Sequence, residues 1–167
     1  MKTLILFRHA EAGWDGEVRS DHERPLTREG KEAALAMGRM LRLAGDVPGS
    51  AVTSSAVRAR ATLDLAREAG QWDCPVRVAG ELYDADPGRV LEQIQAEPDG
   101  TDSLILVGHE PTWSEIVARL AGGGNVKVPA GAMVRIDLDT PSWKLTRFGG
   151  GRLIWLVPPG LRTDRKS

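Results

Sequence analysis

Two histidines and two arginines of this chain stand where they could bind and transfer a phosphoryl group. Arg8 and His9 follow a short apolar run, and His109 ends a second run of nearly the same sequence. Arg58 lies in the first turn of a predicted helix, and the free N–H groups of a helix N-terminus attract anions. Arginine binds phosphate oxygens bidentately, and a neutral imidazole can attack phosphorus to form a covalent phosphohistidine. Together these residue types predict a phosphate site.

Each of these residues also has an ordinary structural interpretation when it is taken alone. A single histidine is more often structural than catalytic, and Arg58 by itself could be a surface arginine. Arg60, two positions further along, is expected on a different and solvated face of the same helix. His22 lies among charged residues and is interpreted as part of a solvated loop. The phosphate hypothesis therefore depends on the combination of residues.

The two apolar runs predict how residues so far apart in the chain come together. Residues 4–7 and 104–107 are typical of buried strands in a parallel sheet. Ligands of open α/β sheets bind beyond the carboxyl ends of the strands. Because each run is followed by a histidine, we expect His9 and His109 at the same edge of one sheet.

Helices alternate with strands until the last third of the chain, which predicts an α/β fold with a mostly parallel central sheet flanked by helices. Capping residues and prolines mark four helix starts. These are Thr27, Ser55, Asp86 with Pro87, and Pro111. Further strands are expected over residues 51–53, 76–78, 134–138, 143–148 and 153–157.

Size and composition limit the classes of function. The 167 residues fit a single domain over residues 1–160 with a polar tail at 161–167. The net charge of −1 gives no basic field, so we expect neither nucleic acid nor a membrane as a partner. The single cysteine, Cys74, permits no intramolecular disulfide. No apolar run approaches the roughly 20 residues that span a bilayer, and the apolar start is too short for a signal peptide. We expect a cytoplasmic protein.

Four segments resemble motifs of the histidine phosphatase superfamily, the relatives of phosphoglycerate mutase. Their order and approximate spacing match over nearly the whole chain. Residues 6–11 resemble its Arg-His-Gly motif, residues 26–30 its Leu-Thr-x-x-Gly segment, residues 54–62 its Ser-x-x-x-Arg-Ala-x-x-Thr segment, and residues 107–109 its second histidine motif. The resemblance implies a phosphoglycerate mutase-like fold.

The resemblance also implies an activity and a set of site residues. The chain is expected to be a phosphatase that needs no cofactor and no metal. His9 would be the nucleophile that carries the phosphoryl group, and Arg8, Arg58 and His109 would bind the substrate. The residue types also argue against a metal site, independently of the resemblance, because the arginines near the histidines would repel a cation.

The match between this sequence and the family motifs is weakest at the general acid. Larger members of the superfamily use a glutamate after the third strand, for which Glu81 is the nearest match and the predicted catalytic acid. Glu11 is the second candidate. Ala10 replaces the usual glycine, and Ala61 replaces a common glutamine. A phosphohistidine substrate would tolerate a poorly defined acid, since imidazole is easier to expel than an alkoxide.

Three segments narrow the expected substrate. Residues 20–27, 81–83 and 151–159 look like those of SixA-type phosphohistidine phosphatases, which remove phosphate from histidine on signalling or phosphotransfer proteins. The short chain offers no insertion for a lid, and an uncovered site suits a phosphorylated protein. Two alternatives stay open: a phosphomonoesterase for a small phosphorylated metabolite, and a non-catalytic phosphate-binding module.

Overall fold

Six strands form one sheet in the computed structural model, which describes residues 1–161. The sheet order is β3-β2-β4-β1-β5-β6, and the first four strands of that order run parallel to one another. β5 and β6 close the sheet in the antiparallel direction. The strands are β1 (Lys2–Arg8), β2 (Ser50–Thr53), β3 (Val76–Val78), β4 (Ser103–Gly108), β5 (Met133–Leu138) and β6 (Gly151–Val157). The predicted α/β class with a mostly parallel sheet is confirmed.

Helices cover both faces of this sheet. They are α1 (Arg28–Leu43), α2 (Val57–Gly70), α3 (Pro87–Gln95) and α4 (Thr112–Leu120). In β1, Leu4 and Leu6 pack in one core with α3 and α4, whereas Ile5 and Phe7 pack in a second core with α1 and α2. A central strand with both faces covered reads as a continuous apolar run. Burial of each such side chain contributes about 1.5–3 kcal/mol.

Two of the predicted helix caps are present, and one is displaced by one residue. The Thr27 hydroxyl accepts a hydrogen bond from the Gly30 amide at 3.0 Å, and Asp86 accepts one from the Arg89 amide at 2.9 Å. The prediction that Ser55 caps α2 is wrong, because the N-cap position is Ala56. The Ala56 amide donates a hydrogen bond to the Ser54 hydroxyl at 3.3 Å.

The strand predicted over residues 143–148 is also wrong. Trp143 begins a short 3₁₀ turn (Trp143–Leu145), and the last strand starts only at Gly151. The Trp143 amide donates to the Asp99 carboxylate at 2.9 Å, and its indole Nε1 donates to the Thr101 carbonyl at 2.8 Å. These contacts from another part of the chain hold the turn, so the apolar residues alone were misleading.

The polar tail predicted at residues 161–167 lies outside the described residues except for Leu161, so the predicted domain boundary stays a prediction. No helix within residues 1–161 combines the length and apolar character needed to cross a membrane.

Candidate active site

The register of the sheet brings the two histidine motifs together. Arg8 pairs with Gly108 at the ends of β1 and β4, so His9 and His109 both leave the sheet at the same edge. The His9 amide donates to the Gly108 carbonyl at 3.0 Å. The centroids of the two imidazole rings lie 5.2 Å apart. The structure therefore places both histidines at the carboxyl edge of the parallel strands, where the matching runs predict them.

The hydrogen bonds of His9 define which ring nitrogen carries the proton. Nδ1 lies 2.8 Å from the Ala10 carbonyl oxygen, which can only accept, so Nδ1 is the protonated nitrogen. Nε2 accepts a 3.3 Å hydrogen bond from Nε of Arg58. Nε2 is therefore unprotonated and carries the lone pair, which accepts this hydrogen bond from Arg58. This is the atom that an attack on phosphorus requires.

Both site histidines are held in the neutral form. Burial lowers the pKa of His9 to about 4; the Ala10 hydrogen bond opposes this shift, and the nearby arginines, Arg58 foremost, add to it. Burial, followed by His9 and then Arg58, lowers the pKa of His109 to about 3. A neutral imidazole keeps its lone pair at neutral pH, so His9 could attack an electrophile without a separate base to remove a proton.

The lowered pKa of His9 gives a direct prediction for NMR. In free solution, histidine is half protonated near pH 6.5. With a pKa of about 4, His9 stays mostly neutral as the pH falls from 7 to 5 and becomes cationic only below that range. We expect the imidazole nitrogen resonances of His9 to titrate with a midpoint below pH 5. A midpoint near 6.5 would contradict the electrostatic environment described above.

Arg58 is brought to the site by the first turn of α2. Its side chain is only 7 % exposed. Nη1 donates to the Asp21 backbone carbonyl at 2.7 Å and Nη2 to the Asp21 carboxylate at 3.0 Å, while Nε faces His9. Arg60 is exposed, so the two arginines of this segment occupy different faces of the helix.

Two buried nitrogen atoms of the site have no hydrogen-bond partner within residues 1–161. They are Nε of Arg8 and Nδ1 of His109. Arg8 uses Nη1 to donate to the Val128 carbonyl at 3.0 Å, and His109 shares a 2.8 Å hydrogen bond between Nε2 and the Ser54 hydroxyl. Leaving a buried polar group unpaired costs about 1–3 kcal/mol. A bound oxyanion could satisfy both nitrogens, because both residues line the same cavity.

The cavity has a volume of about 620 Å³, and its charges are mixed. Its charged lining consists of the arginines Arg8, Arg24 and Arg58 and the carboxylates Glu11, Asp21, Asp84 and Glu110. Within residues 1–161 there is no group of three or more His, Cys, Asp and Glu side chains arranged to hold a metal ion.

The two candidate acids occupy different positions relative to this cavity. Glu81 is exposed on a short 3₁₀ turn (Gly80–Leu82) and does not line the cavity, although Leu82 does. Glu11 does line it, and its carboxylate accepts a hydrogen bond from the Thr27 hydroxyl at 3.0 Å. The structure thus groups Arg8, His9, Arg58 and His109 and leaves Glu81 outside that group. His22 lies beside the site, where Nε2 contacts the Ser55 hydroxyl at 2.9 Å.

Three residues of this site were not assigned from the sequence. Ser54 contacts His109, Asp21 binds Arg58, and Arg24 lines the cavity while donating to the Asp21 carboxylate at 3.1 Å. Asp21 and Arg24 lie in the segment that resembles SixA-type proteins, and that resemblance was the only available signal. Their partners are distant in the chain, so no local pattern reveals their contacts.

A family model identifies the family of this chain. The histidine phosphatase superfamily (branch 1) matches residues 4–101. An uncharacterized protein of Mycobacterium tuberculosis (strain H37Rv) is 41 % identical over 144 residues, which cover 86 % of this chain and 87 % of that protein.

Solved structures of SixA proteins share the fold over almost their whole length. The SixA protein from Nakamurella multipartitia superposes with a TM-score of 0.82 at 28 % identity, covering 96 % of this chain and 97 % of the other. The protein histidine phosphatase SixA complexed with tungstate gives a TM-score of 0.81 at 26 % identity, with 94 % and 97 % covered.

Proposed function

The chain belongs to the histidine phosphatase superfamily and is a phosphatase, and on that premise we propose that it removes the phosphoryl group from phosphohistidine on a protein. In this proposal His9 accepts the phosphoryl group, while Arg8, Arg58 and His109 bind its oxygens. The observation that carries the proposal is the state of His9, which is neutral with Nε2 unprotonated and turned to the cationic side of the cavity. The SixA neighbours support the choice of substrate.

The reaction consists of two transfers. First, the lone pair of His9 Nε2 attacks phosphorus, and the bond from phosphorus to the substrate nitrogen breaks, so that its electron pair leaves with the substrate imidazole. Water then attacks the phosphorylated His9, which releases inorganic phosphate and restores the imidazole. Arg8 and Arg58 offset the charge that the phosphoryl oxygens carry in both steps.

The leaving group removes the need for a strong acid at the site. A substrate imidazole that carries a proton on its far nitrogen departs as neutral imidazole, so no proton has to reach the breaking bond. This is consistent with the position of Glu81 outside the cavity. An alkyl phosphate would need a donor, and in that case Glu11 is the better placed of the two candidates, since it lines the cavity.

The charge balance of the cavity supports a substrate with one phosphoryl group. Two of its three arginines, Arg24 and Arg58, already bind the carboxylate of Asp21. The exposed carboxylates of Glu11 and Asp84 also line the cavity and would repel further phosphates. A single phosphoryl group on a neutral or cationic carrier fits this arrangement better than a nucleotide polyphosphate does.

A small phosphorylated metabolite is the second candidate substrate. The observation that favours it is the cavity volume of about 620 Å³, which lies within the range of small-molecule sites. A phosphohistidine side chain would occupy only part of that volume and leave the remainder for the surface of the carrier protein. The two candidates use the same chemistry on His9, so only a substrate comparison separates them.

A substrate panel assayed in the presence of a chelator tests the proposal. It contains a protein phosphorylated on histidine, several sugar phosphates and nucleoside monophosphates. We expect kcat/KM for the phosphohistidine protein to exceed that for every metabolite by about tenfold or more. A preference for one metabolite would overturn the protein substrate, and phosphate binding without turnover of any substrate would indicate a non-catalytic binding module.

A further inference from the structure

Asp21 contacts the proposed catalytic machinery without facing the reacting atoms. We propose that Asp21, held by the Tyr83 hydroxyl, is a positioning residue that fixes the guanidinium of Arg58 with its Nε–H directed at Nε2 of His9. The inference rests on the proposed function, because Arg58 matters to the reaction only if His9 carries the phosphoryl group. Asp21 would act through Arg58 and would not touch the substrate phosphorus.

The hydrogen bonds around Asp21 come from two distant segments, which hold Arg58 and Tyr83, and from Arg24 in the same segment. Its backbone carbonyl accepts from Nη1 of Arg58 at 2.7 Å, and its Oδ2 accepts from Nη2 at 3.0 Å. The same Oδ2 accepts a 2.6 Å hydrogen bond from the Tyr83 hydroxyl, and Oδ1 accepts from Arg24 at 3.1 Å. Both Nη atoms of Arg58 are thereby fixed in one plane, and Nε lies 3.3 Å from Nε2 of His9.

This arrangement answers a physical difficulty of the site. Arg58 has several rotatable bonds, and its side chain is nearly buried beside the neutral His9. A buried cation without a counter-charge would be driven toward solvent when no substrate is bound. The carboxylate of Asp21 supplies that counter-charge from the side away from His9. The guanidinium therefore stays in place between turnovers. Substrate binding then does not have to supply the entropy cost of ordering the Arg58 side chain.

Tyr83 gives this ion pair its rigidity. Its hydroxyl, followed by Arg24 and Arg58, lowers the pKa of Asp21 well below the ordinary range, so the carboxylate stays charged. Its ring lies edge-on to the ring of His109 with the centroids 5.6 Å apart, and the guanidinium carbon of Arg58 is 6.0 Å from the ring centroid. Tyr83 thus connects Asp21 with the ring of the second histidine.

A double-mutant cycle tests whether Asp21 acts through Arg58. The variants Asp21→Asn and Tyr83→Phe are each made in the wild-type protein and in Arg58→Ala, and Asp15→Asn serves as control. Asp15 is an exposed carboxylate of the same loop and does not line the cavity. The assay uses an aryl phosphate, because its phenolate leaving group depends less on a general acid than an alkoxide does, with inorganic phosphate as the competitive probe of binding.

In the wild-type background we expect Asp21→Asn to lower kcat/KM by about tenfold or more and to weaken inhibition by phosphate, with a smaller loss for Tyr83→Phe. In Arg58→Ala the same substitutions should change kcat/KM by less than about twofold, because the group that they position is absent. Asp15→Asn should behave as wild type.

Two results would overturn the proposal. The first is full activity of Asp21→Asn, and the second is the same fold-loss with and without Arg58. If Asp21→Asn does not fold, the cycle with Tyr83→Phe decides, because that variant keeps the carboxylate and removes a single hydroxyl. Failure of the proposed function would give a different result, because aryl phosphate hydrolysis would then survive in His9→Ala. The double-mutant cycle measures the coupling between Asp21 and Arg58 separately from that result.

Discussion

Replacing His9 by alanine is expected to reduce kcat/KM by a factor on the order of a thousand or more, because the substitution removes the atom that accepts the phosphoryl group in the proposed mechanism. The remaining cations can bind phosphate but cannot form the covalent intermediate. Steady-state hydrolysis of a phosphohistidine protein and of an aryl phosphate measures the effect. Inorganic phosphate should still bind to His9→Ala, since Arg8, Arg58 and His109 are unchanged.

His22 offers a matched control for this substitution. It is the third histidine of the chain, it lies near the site, and it does not line the cavity. His22→Ala should keep activity within about threefold of wild type, as expected for a residue outside a catalytic unit. Substantial turnover by a folded His9→Ala protein would show that another group accepts the phosphoryl group or that water attacks it directly.

The second large effect concerns the two arginines at the start of α2. Arg58→Ala is expected to lower kcat/KM by about a hundredfold, because it removes a charge-assisted donor beside the nucleophile. Arg58 is buried and donates toward His9, whereas Arg60 is exposed to solvent. Arg60→Ala should therefore change activity by no more than about twofold, as is usual for an exposed residue.

This comparison needs both kinetic constants and a folding control. Loss of Arg58 should raise KM and lower kcat together, because in the proposed mechanism the guanidinium contacts the phosphoryl group in both the bound state and the transition state. Thermal unfolding of both variants shows whether the helix survives. Equal losses of kcat/KM in Arg58→Ala and Arg60→Ala would contradict this assignment, in which Arg58 faces the site and Arg60 faces solvent.

The positions of the site histidines could be predicted from the sequence because the signal is local and strong. Two apolar runs specify two buried strands, and in a parallel sheet the residues after their carboxyl ends meet at one edge. Caps such as Thr27 and Asp86 could be predicted for a similar reason, since a capping side chain binds an amide three residues away. Interactions of this range leave a pattern in consecutive residues.

Features that depend on distant contacts could not be predicted in this way. The strand expected over residues 143–148 gives way to a turn, because Asp99 and Thr101 bind Trp143 from another part of the chain. Asp21 and Tyr83 are 62 residues apart and share a hydrogen bond that no periodicity indicates. The exposure of Glu81 is also a consequence of tertiary structure, because its neighbour Leu82 is the residue of that turn that is buried.

Rapid-quench labelling shows whether His9 carries the phosphoryl group during turnover. The protein is mixed with a substrate labelled in its phosphoryl group, quenched within one turnover in base, and mapped by peptide mass spectrometry. We expect a base-stable, acid-labile label on the peptide that contains His9, and no such label in His9→Ala. A label on any other residue, or turnover with no phosphorylated protein formed at all, would contradict it.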